Sequence, residues 1–180
     1  MEKNLTGRIY NPRLAGGSLL DLGVYPISIA NYFANEFPET VLASGRLTET
    51  GVDERLGIIL QYGHVTATLF SSITSRMTNK CRLFGEKGYI ELPDFWRATS
   101  AKRFNGDFEL VESFDDQRVS HGFIYEMQHV NDKVLNGDTE SDIMPLTKSR
   151  DVQAVMMEVR KQIGLIYPMD TVNDSAINEG

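Results

Sequence analysis

The chain has one cysteine, Cys81, in 180 residues. It therefore forms no internal disulfide and no cysteine-rich zinc site. A lone thiol suits a reducing cytoplasm, the expected location. Long hydrophobic runs are missing too. Nothing approaches the ~20 apolar residues of a membrane span, and Met1 to Gly7 lacks the apolar stretch of a secretory signal. Basic residues are in the minority, with 18 Lys and Arg against 25 Asp and Glu and a net charge of −7. That balance works against non-specific nucleic-acid binding and against docking on an anionic membrane. Phosphate-cradling loops are also absent. No Gly-x-Gly-x-x-Gly follows a predicted strand, and no Gly-x-x-x-x-Gly-Lys-Ser/Thr occurs. A serine nucleophile elbow is missing as well.

What remains is ordinary globular material, 41% hydrophobic and 24% charged, long enough to bury a core without staples. Residues 1–15 read as an irregular arm, with a turn at Asn11-Pro12, and residues 171–180 read as a mildly acidic tail. The body between them, 16–170, opens with Gly16-Gly17 and Ser18-Leu19-Leu20-Asp21. A serine with an acid three places on predicts a helix start. Leu20, Ile27, Ala30 and Phe33 recur at helical spacing and are expected to face the core. Pro26 is expected to kink this helix, which ends near Asn35.

Strands follow in series. Val41 to Thr48, Arg55 to Tyr62 and Val65 to Ile73 come first, the second with Leu56, Ile58, Leu60 and Tyr62 in alternation. Asn79 to Phe84 and Tyr89 to Leu92 flank a turn at Gly85–Gly88. Trp96 to Phe104 and Asp107 to Phe114 flank Asn105-Gly106, a strong hairpin signal. Two helices close the chain, over Gly122 to Leu135 and from about Lys148 to Ile163. The last carries an apolar stripe of Val152, Val155, Met156 and Val159. This order predicts an α+β fold with one open, predominantly antiparallel sheet and helices packed on one face. The other face is left wet or covered by another chain.

Few residues point to chemistry. Glu126-Met127-Gln128-His129 puts a carboxylate and an imidazole on one helix face, but di-metal carboxylate sites need that element twice. A hydrogen-bonded surface histidine is the expectation, with no metal. His64 and His121 are expected to face solvent, and Cys81 to be a small core residue. Asp21 and Tyr25 are four apart and share a helix face. A phenol relays protons usefully only if its ordinary pKa of about 10 is brought down. A carboxylate alone works the other way, so a cation has to approach. The structural alternative is a tyrosine capping a kinked helix beside an aspartate that bonds first-turn amides.

The run from Gly16 to Pro26, Gly-Gly-Ser-Leu-Leu-Asp-Leu-Gly-Val-Tyr-Pro, resembles the start of the C-terminal domain in the glucose-fructose oxidoreductase / inositol dehydrogenase / rhizopine-catabolism family. Glu126–Val130, Met144-Pro145-Leu146 and Arg160–Pro168 support the resemblance, which is nearest the dihydrodiol- and xylose-dehydrogenase-like branch. It implies a dihydrodipicolinate-reductase-like α+β domain that contacts substrate and often forms an oligomer interface. It further implies a separate N-terminal dinucleotide-binding domain, absent here, which carries NAD or NADP and a Glu-Lys-Pro lysine. On this resemblance Tyr25 is the proton relay and Asp21 its partner. Arg13 either contacts substrate or forms a surface salt bridge, and Tyr125 and His129 either line the substrate cleft or pack. Gly16 and Gly17 let the backbone turn beneath the site.

The expected function is therefore the substrate-binding half of an NAD(P)-dependent oxidoreductase acting on CH–OH groups of a sugar, polyol or diol. The chain is expected to be inactive and cofactor-free alone, and to form a homo-oligomer through the sheet. A truncated piece with an added Met1 is expected over a natural separate subunit. The alternatives are a non-catalytic binding or oligomerisation module and a dinucleotide-assisted glycosidase.

Overall fold

Alternating apolar residues make one face of a strand greasy, and here that alternation builds the core. In the computed structural model, which describes residues 4–118 and 122–170, Leu56, Ile58, Leu60 and Tyr62 are all buried. The first three lie along β2 (Asp53–Gln61), with Tyr62 just past its end; β2 is the middle strand of a sheet with β1 (Thr40–Leu47) and β3 (Thr66–Ser72). Both pairings are antiparallel. Helices α1 (Val24–Ala34) and α3 (Leu146–Ile163) pack with this sheet. Val152, Val155, Met156 and Val159 of α3 are buried, as their spacing predicts. Full burial of such a side chain contributes about 1.5–3 kcal/mol.

Two side chains finish the helix–sheet joint. β1 is an edge strand, and Gln162 on α3 covers it. Its Nε2 donates to the Val41 carbonyl and its Oε1 accepts from the Ala43 amide, both at 2.7 Å. An edge bonded this way is a poor template for another strand. At the end of α1, Asn35 turns left-handed at φ 56°. Lys148 Nζ donates there to Asn35 Oδ1 at 2.8 Å and to the Asn31 carbonyl at 3.3 Å. A cation at a helix C-terminus suits the unpaired carbonyls.

The described residues divide into two compact units, one of 4–76 together with 146–170 and one within Met77–Pro145. The second unit holds an antiparallel meander of β4 (Lys80–Gly85), β5 (Gly88–Pro93), β6 (Ser100–Asn105) and β7 (Leu110–Asp115). It also holds α2 (Phe123–Leu135). Phe84, Tyr89 and Phe104 lie opposite one another across β4, β5 and β6, with the Tyr89 and Phe104 rings stacked at 4.6 Å. Arg82 and Lys80 bond Glu91 and hold its carboxyl below the usual carboxylate range.

The α+β class and the antiparallel pairing are those the sequence predicts. The seven strands among the described residues, however, divide into two sheets instead of one. Residues 73–79, between β3 and β4, form no strand. Other departures are local. Asn105-Gly106 does not make a two-residue turn. The Asn105 carboxamide accepts from the Asp107 and Glu109 amides, and the left-handed residue is Phe108 at φ 64°. Phe33 is exposed, and Asn31 and Ala34 are buried in its place. Cys81 is only half-buried, although that burial pushes its thiol up. On α2, Phe123, Met127, Val130 and Val134 recur at helical spacing, yet all four are exposed among the described residues.

Candidate active site

The arm before Gly16 is more ordered than its composition suggests. It forms two short 3₁₀ turns, Arg8–Tyr10 and Pro12–Leu14. The Gly16 amide donates to the Asn11 carbonyl at 3.1 Å and the Gly17 amide to the Ile9 carbonyl at 2.8 Å. Side chains have no room here. A Cβ on Gly16 would lie 2.4 Å from the Ile9 carbonyl oxygen, and one on Gly17, at φ +114°, would lie 2.2 Å from Asp53 Oδ1. The glycine pair thus makes the close turn expected of it.

Ser18 is not the helix cap. It has helical φ and ψ of −73° and −40°, and its hydroxyl donates to Ser71 Oγ at 2.8 Å inside the protein. The cap comes from β2, where Asp53 Oδ2 accepts from the Leu19 amide at 2.7 Å. This satisfies one of the donors a helix start leaves unpaired. Asp53 is fully buried. Desolvation raises its carboxyl to about 6, against the opposing pull of the Leu19 amide and its neighbours.

The raised pKa fixes the sign of a stability effect. A carboxyl whose folded value lies above its unfolded 3.8 contributes stability below that pH and loses it as pH climbs through about 6. Asp53→Asn removes this titration. Urea unfolding across that window is expected to show wild type losing about 3 kcal/mol relative to the variant, with no further change above about pH 7.

From Leu19 to Gly23 the backbone forms a π-helical turn, and α1 continues directly from it. The widened turn ahead of Pro26 is closed by a bond from the Val24 amide to the Leu19 carbonyl. Pro26 is the third residue of α1, directly after the widened turn. Wide turns of this type occur often at functional sites. Asp21 lies in the turn, and Tyr25 follows on α1 with its ring exposed. Arg8 Nη2 bonds and ion-pairs with Asp21 Oδ1. Asp21 therefore bonds a cation from the arm, while Asp53 does the capping.

The structure thus brings Arg8, Asp21 and Tyr25 onto adjoining segments of the first unit. Arg13 is exposed in the arm and forms no ion pair with the described residues. Tyr125 and His129 lie on α2 in the second unit. Arg118 stands over the Tyr125 ring at 5.8 Å. His129 Nε2 hydrogen-bonds Ser141 Oγ at 2.8 Å and lies 3.6 Å from Asp142. This is the surface hydrogen bond expected of it. No group of three His, Cys, Asp or Glu among the described residues is placed to hold a metal. His64 is exposed and pairs with Glu36 at 3.0 Å; His121 falls outside the described residues. No described helix is long and apolar enough to cross a membrane.

Sequence reading missed Arg8, Asp53 and Tyr167. The Tyr167 hydroxyl donates to the Gly16 carbonyl at 2.7 Å, 151 residues away. Asp53 carried one faint signal, an acid placed between Val52 and the apolar alternation of β2. Nothing local revealed its partner.

Comparisons with known proteins show the family and the fold. Residues 2–91 match the GFO/IDH/MocA C-terminal domain. A Xenopus tropicalis trans-1,2-dihydrobenzene-1,2-diol dehydrogenase is 39% identical over 169 residues, covering 89% of this chain and 51% of that protein. The chain spans about half the length of the curated relatives it matches. Among solved structures, an aldose-aldose oxidoreductase from Caulobacter crescentus complexed with glycerol shares the fold. Its TM-score is 0.71 at 21% identity, over 89% of this chain and 51% of that one. A 3-ketoreductase from Actinomadura kijaniata, the K102A mutant in complex with TDP-benzene and NADP, gives 0.66 at 24% identity, over 83% and 48%. An antiparallel α+β body that opens on a paired-glycine turn and an Asp21–Tyr25 helix, with a direct match over half its length, belongs to the GFO/IDH/MocA C-terminal domain family.

Proposed function

We propose that this chain is the substrate-binding and assembly half of an NAD(P)-dependent oxidoreductase acting on CH–OH groups of a sugar, polyol or diol. The observation that carries the reading is the exposed Tyr25 ring at the start of α1, four residues after an Asp21 already paired with Arg8. Tyr25 receives the substrate's hydroxyl proton as the carbinol carbon is oxidised, and returns it in the reverse direction. Asp21 orients the substrate or the phenol. Arg8 offsets part of the like-charge repulsion that a bare carboxylate would impose on an ionised phenol. The side chains proposed for polar contacts to substrate hydroxyls are Arg13 and, on α2, Tyr125 and His129.

The chain's sequence offers no glycine-rich loop for a dinucleotide. NAD or NADP is therefore assigned to a separate N-terminal domain, whose lysine supplies the cation beside Tyr25. The exposure of the Tyr25 ring leaves room for that approach. When bound, the oxidised nicotinamide accepts the hydride. The relatives named dihydrodiol dehydrogenases and the ketoreductase solved with NADP support this chemistry.

Assembly is assigned to the outer face of the first sheet. There Leu42 and Ile59 are exposed and opposite one another in register, and Phe70 is exposed opposite Gly57. A homo-oligomer through this face would bury roughly 1,600 Å² if specific. Light scattering is expected to report a dimer or larger; a monomer at micromolar concentration contradicts the assignment. The reading also places the protein in the cytoplasm.

The activity test compares the 180-residue chain with a longer protein that carries it behind a dinucleotide-binding domain. Both are given oxidised dinucleotide and a panel of sugars, polyols and 1,2-diols. Nicotinamide reduction is expected only from the longer protein. Turnover by the chain alone, or none from the longer protein on any of the panel, overturns the proposal.

A further inference from the structure

We propose that Asp53 and Tyr167 are positioning residues for Asp21 and Tyr25, acting by clamping the backbone of residues 16–19. The inference rests on the reading of Asp21 and Tyr25 as the proton-handling pair. It concerns two side chains that bond the backbone of residues 16–19.

The clamp has two jaws from distant parts of the first unit. From the start of β2, the fully buried Asp53 accepts the Leu19 amide at 2.7 Å, and its other oxygen fills the space a side chain on Gly17 would need. From beyond α3, the Tyr167 hydroxyl donates to the Gly16 carbonyl at 2.7 Å. Tyr167 is itself fixed. Arg160 lies over its ring at 4.8 Å and ion-pairs with Asp170, and Asp170 accepts from the Tyr167 amide at 2.7 Å. Between the jaws, Ser18 bonds Ser71 of β3 at 2.8 Å.

The Gly16 and Gly17 amides are held by the arm, but the start of the helix has no cap from its own serine. Ser18, the residue in the cap position, spends its hydroxyl on Ser71. The next turn is the wide π type, which lacks the regular ladder of an α-helix. Asp21 sits within that turn and Tyr25 at its exit, so freedom at 16–19 passes directly into their positions. Misplacement of a reacting group by about 1 Å can slow catalysis by about 100-fold. Both jaws are buried, and Asp53 Oδ2 and the Tyr167 hydroxyl bond backbone, so they act through residues 16–19 and not on reactants.

The test uses Tyr167→Phe, which keeps the stacked ring and removes one hydroxyl, and Asp53→Ala with Asp53→Asn as the conservative rescue. Hydrogen exchange of the 180-residue chain gives a readout independent of catalysis. Amides of residues 17–25 are expected to exchange about fivefold faster or more in Tyr167→Phe, with β2 and α3 unchanged. Steady-state kinetics of the longer protein gives the second readout. There kcat is expected to fall about 10- to 100-fold in Tyr167→Phe and in Asp53→Ala, with KM for dinucleotide within about twofold. Asp53→Asn, which retains an oxygen for the Leu19 amide, is expected to recover kcat to within about threefold of wild type.

Exchange that rises evenly along the chain, or no recovery in Asp53→Asn, reduces the clamp to general stability and overturns the proposal. So does an unchanged kcat in Tyr167→Phe where Tyr25→Phe is inactive. If Tyr25→Phe is itself fully active, the acid/base reading is what fails, and the exchange data still decide whether the clamp exists.

Discussion

Tyr25→Phe, in a longer protein that carries the dinucleotide-binding domain, is expected to lower kcat by about 10²- to 10⁴-fold, the usual worth of a positioned acid or base. In barrier terms that is about 3–5.5 kcal/mol. The substitution removes one hydroxyl and leaves the ring, which is exposed at the start of α1. Stability is expected to change by less than about 1 kcal/mol, so thermal unfolding separates lost chemistry from lost fold. Asp21→Asn is a companion test. Its pairing with Arg8 involves an arginine that is more than half exposed, so the ion pair is worth at most about 1 kcal/mol of stability. A large fall in kcat with little change in unfolding would therefore mark Asp21 as a working group. Unchanged kcat in both variants leaves the non-catalytic module as the better reading.

Gly17→Ala is expected to be strongly damaging. The residue stands at φ +114° and its Cβ would meet Asp53 Oδ1 at 2.2 Å. Backbone strain alone costs about 1–3 kcal/mol. Relief of the clash has to move the buried carboxylate off the Leu19 amide, and a hydrogen bond to a charged group is worth about 1.5–3 kcal/mol. The expected loss is about 3–5 kcal/mol by urea unfolding. Gly51→Ala is the control. It also has positive φ, +88°, but nothing lies within 4 Å of its Cβ. It is expected to lose only about 1 kcal/mol. Equal losses at the two positions would mean that the Asp53 contact contributes nothing.

The parts of the fold that were legible in the sequence are those encoded by short-range pattern. Leu56, Ile58, Leu60 and Tyr62 alternate in sequence and are buried together, and the α3 stripe behaves in the same way. The left-handed stop at Asn35 also falls where expected. What stayed hidden depends on partners far along the chain. Gln162 bonds β1 across 119 and 121 residues, Asp53 caps a helix 34 residues before it, and Tyr167 reaches Gly16 across 151. Ser18 shows how a local rule fails. Its spacing to Asp21 has the form of a capping box, but Ser71 offers its hydroxyl a buried partner and Asp53 takes over the amide. The two-sheet division was hidden for a related reason. Strand patterns give each strand's inward face and say little about which neighbour it pairs with. At the candidate site, Asp21 and Tyr25 were visible as a motif. Arg8, in an arm that reads as irregular, was not.

The most direct test of Tyr25 as the proton relay is a rapid-mixing measurement on the longer protein. The enzyme is preloaded with oxidised dinucleotide and mixed with saturating alcohol, and the first turnover of nicotinamide reduction is followed. This isolates the chemical step from product release. Wild type is expected to reduce the nicotinamide in a fast first turnover. Tyr25→Phe is expected to bind the dinucleotide equally well and to reduce it at least about 100-fold more slowly. A first turnover in Tyr25→Phe within about twofold of wild type would contradict the role given to this residue.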